Sequence, residues 1–149
     1  MVLNPALSDL EPLVGEWRME LHHAAFLPDP RARVTGAFRI DWIEGGAAIV
    51  MRQGDADSPS AATWIVGRDD GDDDYQVLYS DGRGVSRIYR MTLAGEQWRM
   101  WRDNTPFSQR FHADIATGGK MISGVWERSF DSGGTWEHDF NIDYIRVDS

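Results

Sequence analysis

Apolar and polar residues alternate with a period of two along most of this chain. Trp17, Met19 and Leu21, for example, are separated by Arg18 and Glu20. Such alternation is typical of β-strands that bury one face and expose the other. It predicts strands at residues 17–22, 38–42, 47–53, 64–66, 75–79, 85–91, 98–100, 107–115, 121–130 and 136–147. No window shows the period of a long amphipathic helix, so we predict an all-β fold of about ten strands.

Short turns separate most of the predicted strands. Turn-forming residues occupy positions 81–84, 94–95, 104–106 and 118–119. Because a short turn joins neighbouring antiparallel strands, the sequence predicts an up-and-down meander rather than a Greek key.

The two ends of the chain predict how the sheet closes. Ser8 is followed three residues later by Glu11, a capping-box pattern that predicts a short helical turn plugging one end of the sheet. Trp17 lies in the first strand, and Arg146 lies near the end of the last. A sheet whose first and last strands meet is a barrel without exposed edges, and such a barrel can hold a small ligand. We therefore predict a closed meander barrel.

Composition narrows the class of protein. A chain of 149 residues is predicted to form one domain, residues 1–149. The net charge of −9 argues against nucleic-acid and anionic-membrane partners, which require a basic surface. The chain has no Cys, and its first residues lack the basic segment and apolar run of a signal peptide. A cytoplasmic location is therefore expected.

Several short motifs resemble those of a known family. The segment Leu13-Val14-Gly15-Glu16-Trp17 resembles the Gly-x-Trp opening of calycins, the lipocalin and fatty-acid-binding barrels. Further segments resemble the uncharacterised bacterial lipocalin-like barrels: Ile43-Glu44-Gly45-Gly46, Gly124-Val125-Trp126-Glu127-Arg128-Ser129, Asp131-Ser132-Gly133-Gly134-Thr135-Trp136 and Tyr144-Ile145-Arg146. The resemblance spans nearly the whole chain and implies a meander barrel with an interior cavity. It implies no particular activity, because one fold hosts many functions.

Two features depart from better-known members of that superfamily. Fatty-acid-binding proteins place a two-helix lid between their first two strands, whereas residues 24–33 are few and include Pro28 and Pro30. Haem-binding barrels of the nitrobindin kind continue the opening motif into a Gly-rich run ending in Tyr-Pro. This chain has Arg18-Met19-Glu20-Leu21 there instead. Neither a lid nor haem is expected, and no cofactor is predicted.

The alternation also predicts which polar side chains face the barrel interior. In phase with apolar neighbours are Tyr79, Arg87, Tyr89, Gln109, Arg128, His138 and Tyr144. An inward Arg needs a carboxylate or an anionic ligand, because an unpaired buried charge is costly. Glu127 and Asp139 fall out of phase and are not expected to supply that carboxylate. One register slip would invert every assignment, so outward-facing arginines are the alternative.

The predicted ligand site combines these polar groups with aromatic walls. The residues expected to orient the ligand are Arg87, Tyr89, Arg128, His138 and Tyr144. The residues expected to form the walls are Trp17, Trp42, Trp64, Trp98 and Phe140. Such a set would suit an organic acid, whose head could accept charge-assisted hydrogen bonds.

No metal site is predicted. The acidic run 69–74 lacks the spacing of an EF-hand, because Asp74 stands where Gly belongs and Ser80 where the bidentate Glu belongs. His22 and His23 are adjacent on a strand and point to opposite faces, so they cannot both ligate one metal without a bend. Residues 129–136 match the Asp-box pattern Ser-x-Asp-x-Gly-x-Thr-Trp, which predicts a structural hairpin.

Three functional hypotheses stay open at this point. The first is binding of a small hydrophobic or amphipathic ligand with a carboxylate or other polar head. The second is an isomerase or hydrolase on the same barrel, with His138 as general base. The third is a non-catalytic barrel filled by its own aromatic side chains and acting as a homodimer. The chain lacks a nucleophile elbow and a phosphate-binding Gly loop, which favours binding over catalysis.

Overall fold

Ten antiparallel strands close into a barrel in the computed structural model of this chain, which describes residues 4–29, 31–43, 45–54, 61–104 and 106–147. The strands are β1 Gly15–His22, β2 Val34–Ile43, β3 Ala48–Gln53, β4 Ala62–Gly67, β5 Tyr75–Asp81, β6 Ser86–Ala94, β7 Gln97–Arg102, β8 Ser108–Ile115, β9 Met121–Ser129 and β10 Glu137–Arg146.

Each strand pairs with its neighbours in sequence, and β1 also pairs with β10 to close the sheet. Trp17 lies opposite Arg146 across that closing pair. The predicted all-β meander barrel is therefore confirmed. Strand β2 begins at Val34, four residues before its predicted start at position 38. Residues 34–37 pair with β1 but are mostly exposed, so they carry no apolar alternation.

A 3₁₀ helix, Pro5–Leu13, covers one end of the barrel, as predicted. Three apolar residues of the helix recur at every third position, which is the period of a 3₁₀ helix. Their side chains are fully buried against the barrel: Leu7, Leu10 and Leu13. The helix is capped by Asn4, whose side chain accepts a hydrogen bond from the amide of Ala6 at 3.0 Å. The predicted capping box at Ser8 is wrong, because Ser8 lies inside the helix and donates to the Pro5 carbonyl. In the described part of the chain, no helix has the length and apolarity needed to cross a membrane.

The side chain of Arg146 connects several elements at this closed end of the barrel. Its guanidinium carbon lies 4.1 Å from the centre of the Trp17 ring. Its three nitrogens donate to the carbonyls of Pro12, Val14 and Gly119, at 2.6, 2.9 and 3.1 Å. One side chain thus joins the helix, the first and last strands and the β8–β9 turn.

A β-bulge at the start of β10 changes which side chains face inward. Trp126 on β9 lies opposite Phe140, but Glu127 lies opposite His138, which leaves Asp139 as an extra residue. The bulge turns His138 outward, where it is exposed, and buries Asp139. The inward orientation predicted for His138 is therefore wrong, because the alternation assumed an unbroken strand.

The hairpin before β10 has the structural role predicted for the Asp box. The carboxylate of Asp131 accepts hydrogen bonds from the Ser129 hydroxyl at 2.8 Å and the Thr135 amide at 2.7 Å. These bonds, the Ser129 hydroxyl first, lower the pKa of Asp131. Trp136 packs outside the barrel, with the Arg110 guanidinium 4.1 Å from its ring centre.

Candidate functional site

A cavity of about 710 Å³ occupies the end of the barrel opposite the 3₁₀ helix. Its walls include six aromatic residues from five strands: Trp64, Tyr79, Tyr89, Trp126, Phe140 and Tyr144. Exposed Phe26 and Arg83 also line it, so the cavity reaches the surface. Buried side chains fill the end of the barrel under the helix. The opposite end is not filled, and its cavity has room for a small molecule.

The aromatic wall is held by ring-to-ring contacts. Tyr79 lies between Trp64 and Tyr89, with ring centres 5.1 and 6.1 Å away. Trp126 continues the wall, 5.8 Å from Tyr89 and 6.2 Å from Phe140. Most of these pairs are tilted or edge-to-face, the arrangement that aromatic quadrupoles favour. The wall is therefore a pre-formed apolar surface.

Arg87 places a positive charge in the cavity without a carboxylate to balance it. Its Nη1 lies 3.4 Å from Gln109 Oε1, and its guanidinium carbon lies 5.1 Å from the Phe107 ring centre. No ion pair joins Arg87 to any carboxylate of the described residues. Gln109 Oε1 also accepts a hydrogen bond from the Tyr89 hydroxyl at 2.6 Å, and this bond holds the amide beside Arg87. Burial raises the pKa of Tyr89, so its hydroxyl stays protonated and donates that bond.

Arg128, the second inward arginine, does have partners. Its Nη1 lies 3.6 Å from Asp139 Oδ1, and its Nε lies 3.6 Å from Glu137 Oε2. Burial raises the pKa of Asp139, and the charges of Arg128 and His138 oppose that rise. The bulge therefore turns the Asp139 carboxylate inward, although the sequence pattern placed it outside the barrel. Carboxylates thus compensate the charge of Arg128, whereas Arg87 has none among the described residues.

Asp81 and Arg83 form another ion pair at the mouth. Asp81 Oδ2 accepts hydrogen bonds from Arg83 Nη2 and from the Tyr79 hydroxyl, both at 2.7 Å. The Arg83 bond, with further bonds from Tyr79 and from backbone amides, holds the pKa of Asp81 well below its usual range. The pKa of Tyr79 is raised by burial and by its bond to Asp81. This pair is internally satisfied and adds no net charge to the cavity.

Tyr144 places a hydroxyl group in a buried part of the cavity wall. Its side chain is buried between Phe38 and Trp98, with ring centres 4.6 and 6.0 Å away. Burial raises the pKa of its hydroxyl. Within the described residues, that hydroxyl has no hydrogen-bond partner. It can therefore offer one hydrogen bond to a bound molecule.

The structure brings most of the predicted site residues together. Those that line the cavity are Arg87, Tyr89, Arg128, Phe140, Tyr144 and Trp64. Trp98 is buried below it against Phe111. Trp42 lies at the closed end, where its indole donates to Glu11. His138 is outside the barrel, with its Nε2 2.6 Å from Asn141 Oδ1.

Sequence reasoning missed several lining residues. Trp126 alternates in phase with Ile122 and Gly124, and that signal was available in the sequence. Asp139 could not be found from alternation, because only the bulge turns it inward. Phe26 lies in the β1–β2 connection, where no strand pattern applies; its ring lies 5.8 Å from that of Phe140.

No protein-family model matches this chain, and a comparison with curated proteins finds no match either.

Proposed function

We propose that this barrel binds a small, largely apolar molecule with a carboxylate or another anionic head. The observation that carries the proposal is Arg87, a cation on the cavity wall with no carboxylate partner among the described residues. Charged groups in low-dielectric surroundings require compensation, and an anionic ligand would supply it. Gln109 and Tyr89 hold the wall beside it.

The size and lining of the cavity support the same function. About 710 Å³ lies within the range of roughly 300 to 1,000 Å³ that is usual for small-molecule sites. That volume favours binding over the alternative of a barrel filled by its own side chains. The closed meander with a helix over one end supports the resemblance to calycins. A cytoplasmic location and a homodimer stay predictions from the sequence.

The enzyme alternative has less support. His138, its expected general base, is exposed on the outer face of the barrel. No histidine is among the described residues that line the cavity, so haem is not part of the proposal either.

A fluorescence titration tests the proposal. Tryptophan emission would be followed while dodecanoate or 1-dodecanol is added to the wild type, to Arg87→Gln and to Arg99→Gln. Arg99 is exposed on β7, so its variant has the same change in net charge outside the cavity. Wild type is expected to prefer dodecanoate. Arg87→Gln is expected to weaken dodecanoate binding by about tenfold or more, the value of one charge-assisted hydrogen bond.

The control variant and the alcohol decide the interpretation. Arg99→Gln should bind dodecanoate like the wild type, and Arg87→Gln should bind 1-dodecanol unchanged. Equal dodecanoate affinity in the two arginine variants would contradict the proposal, as would no change of emission with either compound.

A further inference from the structure

Two histidines outside the cavity converge at the end of β1. His22 is the last residue of the strand, and His23 follows with a φ of +53°. In an unbroken strand their side chains would point to opposite faces. The left-handed backbone at His23 instead turns its ring back, so that the two Nδ1 atoms lie 2.5 Å apart. The bend that a shared metal would require is therefore present.

Asp143 on β10 fixes which nitrogen of His22 carries a proton. Its Oδ2 lies 2.9 Å from His22 Nε2. A carboxylate only accepts hydrogen bonds, so the Nε2 atom of His22 carries a proton. In the neutral ring the Nδ1 atom is then unprotonated and has a free lone pair. That lone pair points at His23 Nδ1. A histidine whose far nitrogen donates to a carboxylate is the usual arrangement at metal sites.

We propose that His22 and His23 bind one late first-row divalent cation, such as Zn²⁺, through their Nδ1 atoms. Asp143 is a positioning residue that orients His22 and does not touch the metal. When the His22 ring is neutral, the contact between the two Nδ1 atoms requires a proton on His23 Nδ1, and that proton lies where the cation would bind. Imidazole nitrogens suit Zn²⁺, Cu²⁺ and Ni²⁺, and do not suit Mg²⁺.

The geometry requires only a small adjustment. Zn–N bonds of about 2.0–2.1 Å at a tetrahedral angle place two nitrogens about 3.3 Å apart. The Nδ1 atoms must therefore separate by about 0.8 Å from their 2.5 Å distance. His23 is exposed and can rotate, whereas His22 is buried and held by Asp143. Among the described residues no third His, Cys, Asp or Glu completes the site, so water fills the other coordination positions.

Calorimetric titration of the tag-free full chain with ZnCl₂ tests the site. His23→Asn is the main variant, because Asn accepts the left-handed backbone of this position and removes the imidazole. His112→Ala is the matched control, since His112 is an exposed histidine on β8. We expect the wild type and His112→Ala to bind one Zn²⁺ with the same affinity, and His23→Asn to bind at least tenfold more weakly. MgCl₂ should give no binding heat.

Asp143 has its own test. Asp143→Ala is expected to weaken Zn²⁺ binding by about 10- to 100-fold, the usual effect of losing such a partner. Asp143→Asn should recover part of that loss, because its carbonyl can still accept from Nε2. Histidine ¹⁵N spectra supply a readout independent of affinity: Zn²⁺ should move the Nδ1 resonances of His22 and His23 and leave the ring of His112 unchanged.

Three results would overturn the inference. One is no saturable Zn²⁺ binding to the wild type, which would make the pair a proton-sharing contact only. Another is Zn²⁺ binding that His23→Asn leaves intact, as expected of an adventitious site such as the acidic run 69–74. The third is a Zn²⁺-induced shift at His22 Nε2 rather than Nδ1.

Discussion

Replacing Arg146 by Ala should destabilise the closed end of the barrel severely. The guanidinium stacks on Trp17 at 4.1 Å and donates to three carbonyls, which belong to the helix, to the residue between the helix and β1, and to a distant turn. Removing it leaves the Val14 and Gly119 carbonyls without this donor, in partly buried surroundings. The carbonyl of Pro12 is exposed and can turn to water instead.

The expected loss follows from those contacts. Each of the two partly buried bonds to the charged group contributes about 1.5 kcal/mol, and the cation–π contact about 0.5–1 kcal/mol. The sum is about 3.5–4 kcal/mol in the free energy of unfolding. For a domain of this size that corresponds to a fall in Tm of about 10 °C.

Urea unfolding followed by tryptophan fluorescence measures the loss directly. Arg146→Lys should recover only part of the stability, because one ammonium cannot reach three separated carbonyls. Arg99→Ala, an exposed arginine on β7, should change stability by less than about 0.5 kcal/mol. A loss below about 1 kcal/mol in Arg146→Ala would refute the reasoning, since it would approach the range of about 0.5 kcal/mol expected of an ordinary surface substitution.

Three further predictions concern stability. A Cβ at Gly124 would lie 2.5 Å from Phe111 Cε1, so Gly124→Val should lower stability by about 1–3 kcal/mol in urea unfolding; an unchanged midpoint would contradict this. Burial raises the pKa of Asp139, so its ionised form is costlier in the folded chain and stability falls as pH rises through the raised pKa. Asp139→Asn should therefore be at least as stable as the wild type at neutral pH, with the difference shrinking in acid; a less stable variant at neutral pH would contradict that sign. The hydrogen bond from Arg83 lowers the pKa of Asp81, so the ionised carboxylate stabilises the fold at neutral pH. Asp81→Asn should therefore be less stable than the wild type at neutral pH, and the difference should shrink below the usual carboxyl pKa. A difference that does not depend on pH would argue against this ion pair.

Alternation along the sequence predicted the fold because each strand has one face in the core and one in solvent. The pattern found all ten strands of the described chain and their meander order. It also placed Arg87 and Arg128 inside the barrel. Strand starts without apolar contacts were missed, as at Val34, because pairing there depends on the backbone and not on side chains.

The site was predicted less well, for two physical reasons. Alternation tells which face a residue occupies but not its height in the barrel, so Trp98 and Trp42 face inward yet lie away from the cavity. Local backbone irregularities reverse the pattern: the bulge exchanged His138 for Asp139, and the left-handed His23 brought two rings together. Such irregularities arise from tertiary packing, which no residue spacing reveals.

The central claim is that a ligand with an anionic head enters the aromatic cavity. Indole ¹H–¹⁵N spectra recorded while dodecanoate is added test it most directly, because the seven tryptophans sample different parts of the barrel. We expect saturable shifts of the Trp64 and Trp126 indoles, which line the cavity, and none at Trp136 on the outer face. Cavity indoles that stay still while Trp136 moves would contradict the claim.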